Sequence, residues 1–182
     1  MAPVQLQVAM GLETVDPILL PRLNKGMSLE DFDDATQFLT SHDIAVRAFI
    51  LLGPPGHRGE QAIHWAKRSI DHAFSIGVEC CVIIPVRPGN GIVDQLEDKG
   101  IFARPSLFEL ESVIEHGLAT GKGRVFADLW DIEDFFDCAQ CSSSRAARLR
   151  EYNLTQRSKD PIRCHCCSPI DGSAKTTTIQ HA

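Results

Sequence analysis

Val78 to Val86 is almost uniformly apolar, with Val78, Cys80, Cys81, Val82, Ile83 and Ile84 nearly in succession. A strand with one wet face alternates apolar and polar residues; a strand without a polar face is buried on both sides. That is the habit of strands in parallel sheets covered by helices, so this segment narrows the architecture to an α/β layer. The rest of the chain repeats a grammar of strand, loop and helix that agrees with it.

The first strand, Val4 to Leu12, sets Val4, Leu6, Val8 and Met10 against Gln5, Gln7 and Ala9, the period of a half-buried strand. It reads as an interior strand that needs a partner on each side. Ser28 and Asp31 form a box-like helix start, followed by a stripe of Phe32, Ala35, Thr36 and Leu39 that ends near His42. A second strand spans Ile44 to Leu52, broken by Gly53-Pro54-Pro55-Gly56. A helix from about Glu60 to Ile76 carries Ile63, Ala66, Ile70, Ala73 and Phe74 on one face, with Gly77 placed to end it. After the apolar strand come the loop Arg87-Pro88-Gly89-Asn90-Gly91 and a short helix near Ile92 to Lys99. A longer helix follows, started by Ser106 and Glu109, and a last strand is expected from Arg124 to Leu129. The order β-α-β-α-β-α-α-β predicts parallel strands joined by right-handed crossovers. The expected division is an α/β part over 1–130, a cysteine-rich module over 131–167 and a polar, disordered tail over 168–182.

The chain of 182 residues is long enough for one real core, and 43% hydrophobic with 23% charged residues is the balance of a globular protein. A formal charge of -6 argues against a surface that coats nucleic acid. No apolar run reaches the roughly 20 residues of a membrane helix, and no basic-then-apolar start marks a secretory signal, so the cytoplasm is the expected setting.

Seven cysteines in such a chain point to metal rather than to a disulfide framework. Cys138-x2-Cys141 and Cys164-x2-Cys167 stand 22 residues apart. Each two-residue gap turns two thiolates toward one ion, and two such turns supply a tetrahedral set for zinc. His165 and Cys166 leave the fourth ligand open, with Cys167 favoured over Cys166. An iron–sulfur cluster on the same cysteines is the weaker reading. Cys80 and Cys81 read as core. Between the pairs, residues 142–163 hold six basic and two acidic residues, a net +4 against -10 in the remainder. Arg145, Arg148, Arg150 and Arg157 are therefore candidates for phosphate contact with RNA, against the plainer reading of a solvated helix face.

Ligands of parallel sheets bind at the carboxyl ends of the strands. There or in the strands themselves stand Glu13, Arg47 and Asn90, whose groups suit ribose hydroxyls, a carboxylate and an adenine edge respectively. Arg47, on an otherwise apolar strand, carries a charge that is costly to bury unpaired.

Gly11-Leu12-Glu13-Thr14, Leu23-Asn24-Lys25, Arg47-Ala48-Phe49, Leu51-Leu52-Gly53-Pro54-Pro55, Ile84-Pro85, Gly89-Asn90-Gly91, Phe126 to Asp131 and the two Cys pairs occur in one order. Together they resemble the carboxyl-terminal half of a radical SAM protein, in the group similar to the radical SAM subunit of archaeosine synthase and, more distantly, to the elongator catalytic subunit. The resemblance implies the later strands of a six-stranded partial (β/α) barrel with S-adenosylmethionine across the strand ends. It implies Glu13 and Thr14 on the ribose side, Arg47 toward the methionine carboxylate, and Gly53, Pro85, Arg87 and Asn90 near the adenosine. The family's Cys-x3-Cys-x2-Cys motif, which holds its [4Fe–4S] cluster, does not occur in this sequence. The expectation is therefore a SAM-binding, zinc-bearing half that is inactive alone, with the amino-terminal radical SAM half supplied in trans or lost. The alternative is a non-catalytic zinc-binding adaptor that contacts RNA or protein. A small enzyme with a phosphate-bearing ligand in the Gly-rich loops is a third reading, without a nucleophile and base to support it.

Overall fold

The computed structural model describes residues 5–89 and 91–166. Four strands, β1 (Gln7–Glu13), β2 (Ala45–Leu52), β3 (Cys80–Pro85) and β4 (Arg124–Ala127), form one parallel sheet whose spatial order follows the sequence. Each strand–helix unit is laid beside the one before it, the way a (β/α) barrel accumulates, rather than to either side of a first strand as in a doubly wound sheet. The helices are α1 (Leu29–Ser41), α2 (Glu60–Ser75), α3 (Ile92–Asp98), α4 (Leu107–Thr120) and α5 (Ser142–Thr155). No helix among the described residues is long and apolar enough to cross a membrane.

The local signals act as expected. Ser28 and Ser106 each accept from the backbone N–H three residues on, while Asp31 and Glu109 return the bond to the cap, so both capping boxes are closed. Gly77, at φ +94°, takes the left-handed turn that ends the α2 region. Gly117 lets α4 sit against β4, because a Cβ there would come within 2.7 Å of the Val125 side chain.

In β2, Val46, Ala48, Ile50 and Leu52 are fully buried, while Ala45, Arg47, Phe49 and Leu51 between them are half-buried. The first set packs under the helices with Ile70, Ala73, Ile83, Val113 and Ile114. Each such aliphatic side chain contributes about 1.5–3 kcal/mol on burial. The second set lies on an open face shared with Val82 and Ile84, the register partners of Phe49 and Leu51, and with Phe126, the partner of Val82. Here the reading of β3 is corrected: its unbroken apolarity does not mean helices on both sides. Helices cover Cys81 and Ile83, and Val82 and Ile84 stay half-buried on the other face. β1, whose pattern asks for a partner on each side, stands at the edge, paired among the described residues with β2 alone. Val4 lies outside the described residues.

The core continues past residue 131. Ile132, Phe135, Ala146, Leu149 and Tyr152 belong to the same core as β2 and α2. The helix α5 also closes the outer edge of β4. Gln156 Oε1 accepts from the Val125 N–H (2.8 Å) and its Nε2 donates to the Val125 carbonyl (2.9 Å). Asn153 makes the same pair of bonds with Ala127, both 2.8 Å. Two side-chain amides thus stand where a fifth strand would pair.

Candidate functional site

The carboxyl ends of β2 and β3 and the loop after β1 enclose a cavity of about 730 Å³, lined by Leu51, Pro54, Ile84, Pro85 and Arg87 with Leu19 and Leu23 from that loop, within the range of small-ligand sites. Glu13, at the end of β1, lies beside β2 in register with Ile50 and outside this lining. Glu13 ends β1 at φ +63°, a left-handed conformation unusual for a residue other than glycine, and the β1–β2 register slips between Gly11 and Glu13. Backbone of this kind concentrates at binding sites. Lys25 forms an ion pair with Glu13 and donates to the Gly11 carbonyl at 3.0 Å. Its ammonium occupies the space that a Cβ at residue 11 would need, so Gly11, Glu13 and Lys25 form one unit. The sequence displayed Lys25 within Leu23-Asn24-Lys25, but nothing in the residue pattern paired it with Glu13.

Below this edge, His57 and Asp16 are both buried and bonded at 2.8 Å, and Asp16 also accepts from the N–H groups of Ile18 and Leu19. Burial pushes the Asp16 carboxyl up, and the bonds from His57 and the two amides outweigh it, holding the group below its ordinary value. This clamp ties the loop after β1 to the loop after β2.

Glu13, Gly53, Pro85 and Arg87 are brought to one edge, and the other expected contacts fall elsewhere. Thr14 is 1% exposed and turned into the loop, where its hydroxyl accepts from the Asp16 N–H. Arg87 is engaged in structure. It donates to Asp128 at 2.9 Å and to the Trp130 carbonyl at 2.5 Å, and its guanidinium lies over the Phe135 ring. Arg47 pairs in register with Ala9 and Cys80, five residues before the end of β2. At about 3.3 Å per residue it stands roughly 16 Å from the carboxyl edge. It faces the open side of the sheet near Cys80, with its buried Nε lacking a hydrogen-bond partner. Asn90 lies outside the described residues. Cys80 and Cys81 are core as expected, and burial pushes both thiols up.

At the other corner, the sulfurs of Cys138, Cys141 and Cys164 lie within 4.8 Å of one another, all buried. The Sγ atoms of Cys138 and Cys164 are 3.7 Å apart, and tetrahedral ligands at 2.3 Å from one zinc are separated by about 3.8 Å. The spacing suits one ion; a cubane cluster takes one thiolate per iron and spreads its cysteines more widely. The turn is built locally: Ser142 Oγ accepts from the Cys138 N–H at 3.0 Å, and Cys141 caps the start of α5. Cys166 is exposed, with its sulfur 3.4 Å from Gln140 Oε1, and Cys167 lies outside the described residues.

The basic patch is corrected in half. Arg145 and Arg148 are 2% and 7% exposed. Both are paired with Glu111, and Arg148 also with Glu115 at 2.6 Å. They cannot face a phosphate backbone, because desolvated guanidinium groups were matched to carboxylates of α4. Arg150 is exposed and paired with Glu133 at 2.8 Å, and Arg157 is exposed.

No family model matches the chain. It is 27% identical over 176 residues to archaeosine synthase subunit beta of Methanosarcina acetivorans, covering 88% of this chain and 48% of that protein. The resemblance read from the sequence stands. The archaeal Methanocaldococcus infernus Elp3, solved with an N-terminal deletion, superposes with a TM-score of 0.61 over 82% of this chain and 37% of that one, at 19% identity. That likeness is one of fold. The chain spans about half the length of the curated relative it matches.

Proposed function

We propose that this chain is the S-adenosylmethionine-facing half of a radical SAM enzyme of tRNA modification, with one zinc ion at Cys138, Cys141, Cys164 and a fourth thiol from Cys166 or Cys167. The observation that supports it best is the strained Glu13 carboxylate at the mouth of an open sheet face, in a chain similar over 88% of its length to archaeosine synthase subunit beta. Adenosine fits this edge. The Leu51, Ile84 and Pro85 side chains offer a flat apolar floor for a base. Glu13, in register beside Ile50, has two carboxylate oxygens for a ribose diol. The ion pair with Lys25 holds that carboxylate in place.

S-adenosylmethionine bound at an iron–sulfur cluster supplies radical chemistry on reductive cleavage. The residues here do not fit the cluster: the three-cysteine spacing is not in the sequence, and the thiols that do gather are spaced for one ion. The cluster is assigned to polypeptide outside residues 5–166, in a partner subunit or in a further segment. Within this chain, Glu13 binds and orients the ribose, and the apolar floor excludes water from the base. The open face, with Phe49, Val82 and Phe126, is the inner wall against which the rest of the barrel closes.

Without the cluster to chelate the methionine end, only nucleoside contacts remain, each 1.4 kcal/mol lost being about tenfold in affinity. The isolated chain is expected to bind 5′-deoxyadenosine with a dissociation constant of roughly millimolar, by ligand-observed NMR, and Glu13→Ala is expected to abolish it. Absence of binding at saturating nucleoside would overturn the reading, as would 5′-deoxyadenosine made by the reduced chain alone.

A further inference from the structure

We propose that Arg145 is the positioning residue of the cysteine metal site: it donates to the Cys141 thiolate, holds the arm that brings in Cys164, and anchors both to α4 through Glu111. This rests on the metal reading above. Arg145 lies one turn after Cys141, and its guanidinium reaches acceptors on three different segments. Nε donates to Cys141 Sγ at 3.3 Å, Nη1 is bonded to Glu111 Oε2, and Nη2 donates to the Ile162 carbonyl at 3.3 Å. Ile162 stands two residues before Cys164. One planar fork therefore fixes both ends of the cysteine cluster relative to each other, a task the point charge of a lysine cannot perform.

The charge argument runs the same way. Three or four thiolates on a divalent ion carry a net negative charge, and a cation with an N–H aimed at sulfur favours that state. A guanidinium that served only to pair with Glu111 would have no use for the sulfur. Burial at 2% exposure keeps water from competing for these bonds. The Phe108 ring, 5.4 Å beneath the guanidinium, closes the remaining side.

The test uses the full chain loaded with zinc or with cobalt(II) as a spectroscopic substitute. Arg145→Met is expected to weaken zinc about 10- to 100-fold, the usual loss for a partner that orients a metal ligand. It is also expected to shift the sulfur-to-cobalt charge-transfer band to longer wavelength, because a sulfur stripped of its hydrogen bond gives up charge more readily. Arg145→Lys, which keeps the charge beside Glu111 and serves as the test if Arg145→Met fails to fold, is expected to recover part of the affinity and none of the band position. Arg150→Met, on the same helix but exposed, is the control. Arg145 variants that match the unmodified chain in affinity and band overturn the inference and leave the metal reading intact. An unmodified chain that takes up neither ion overturns the metal reading, and this inference with it.

Discussion

The α/β body and the cysteine corner are held together by different physics. In the body, Val46, Ile50, Ile70, Ile83, Val113 and Ile114 are fully buried and carry no group that titrates or binds a metal. In the corner, the buried residues are Cys138, Cys141 and Cys164, backed by Arg145, Arg148 and Glu111. Apolar burial stabilises by area and tolerates changes of solution condition. A buried ionic network is costly to desolvate and depends on every member being in place. Loss of a metal or a partner should therefore dismantle the corner and spare the body.

Chelation of the metal breaks this comparison most severely. A structural zinc contributes on the order of 10 kcal/mol to the segment that binds it. Its removal is expected to expose amides of the turn at 138–141 and of the arm at 157–166 to hydrogen exchange. The inner face of α5, with Ala146, Leu149 and Tyr152 in the body core, should keep its protection. Collapse of protection in β2 and β3 as well would mean that the two regions are one cooperative unit.

Single substitutions sharpen the contrast. Glu111→Ala removes the buried carboxylate shared by Arg145 and Arg148, leaving Arg148 with Glu115, and is expected to cost about 3–5 kcal/mol, with accelerated metal release. Ile50→Ala should cost a similar 2–5 kcal/mol in urea unfolding and leave metal release unchanged. Equal effects of both on metal release would erase the distinction.

A smaller effect lies on the acid side. The folded protein holds the Asp16 carboxyl below its ordinary value, so the folded state binds that proton less tightly than the unfolded chain. The contribution is present at neutral pH and is lost as the pH falls below about 4, through the folded value. Asp16→Asn, which has no carboxyl to titrate, should flatten the acid limb of the stability curve in urea titrations. An unchanged acid limb would remove the clamp from the account.

Most of the fold was legible because its signals are local. Ser28 with Asp31, Ser106 with Glu109, and Gly77 mark element ends by chemistry acting over a single turn. The open sheet face was not legible, since Val82 and Ile84 carry the same apolarity as a residue under a helix. The burial of Arg145 and Arg148 left a trace: with Leu149 and Tyr152 they fall on one helical stripe, and Glu111 and Glu115 stand one turn apart on α4. Counting charges without their period hid the match. The distance of Arg47 from the carboxyl edge depends on strand register, which no single strand reveals. The cysteine spacing did predict the thiol cluster, because two-residue gaps constrain a chain wherever it is placed.

The amides of Asn153 and Gln156 give the sheet a direction of growth. A parallel sheet ordinarily offers hydrogen-bonding groups on both outer strands, and either can recruit a further strand. With Val125 and Ala127 already satisfied by side chains, β4 acts as a terminator, and lengthening proceeds past β1 alone. Any assembly built by strand addition onto this chain is thereby vectorial. A second copy cannot join it by its β4 edge, so an endless stack of copies through successive β4-to-β1 contacts is barred by one residue of α5 and the residue that caps it.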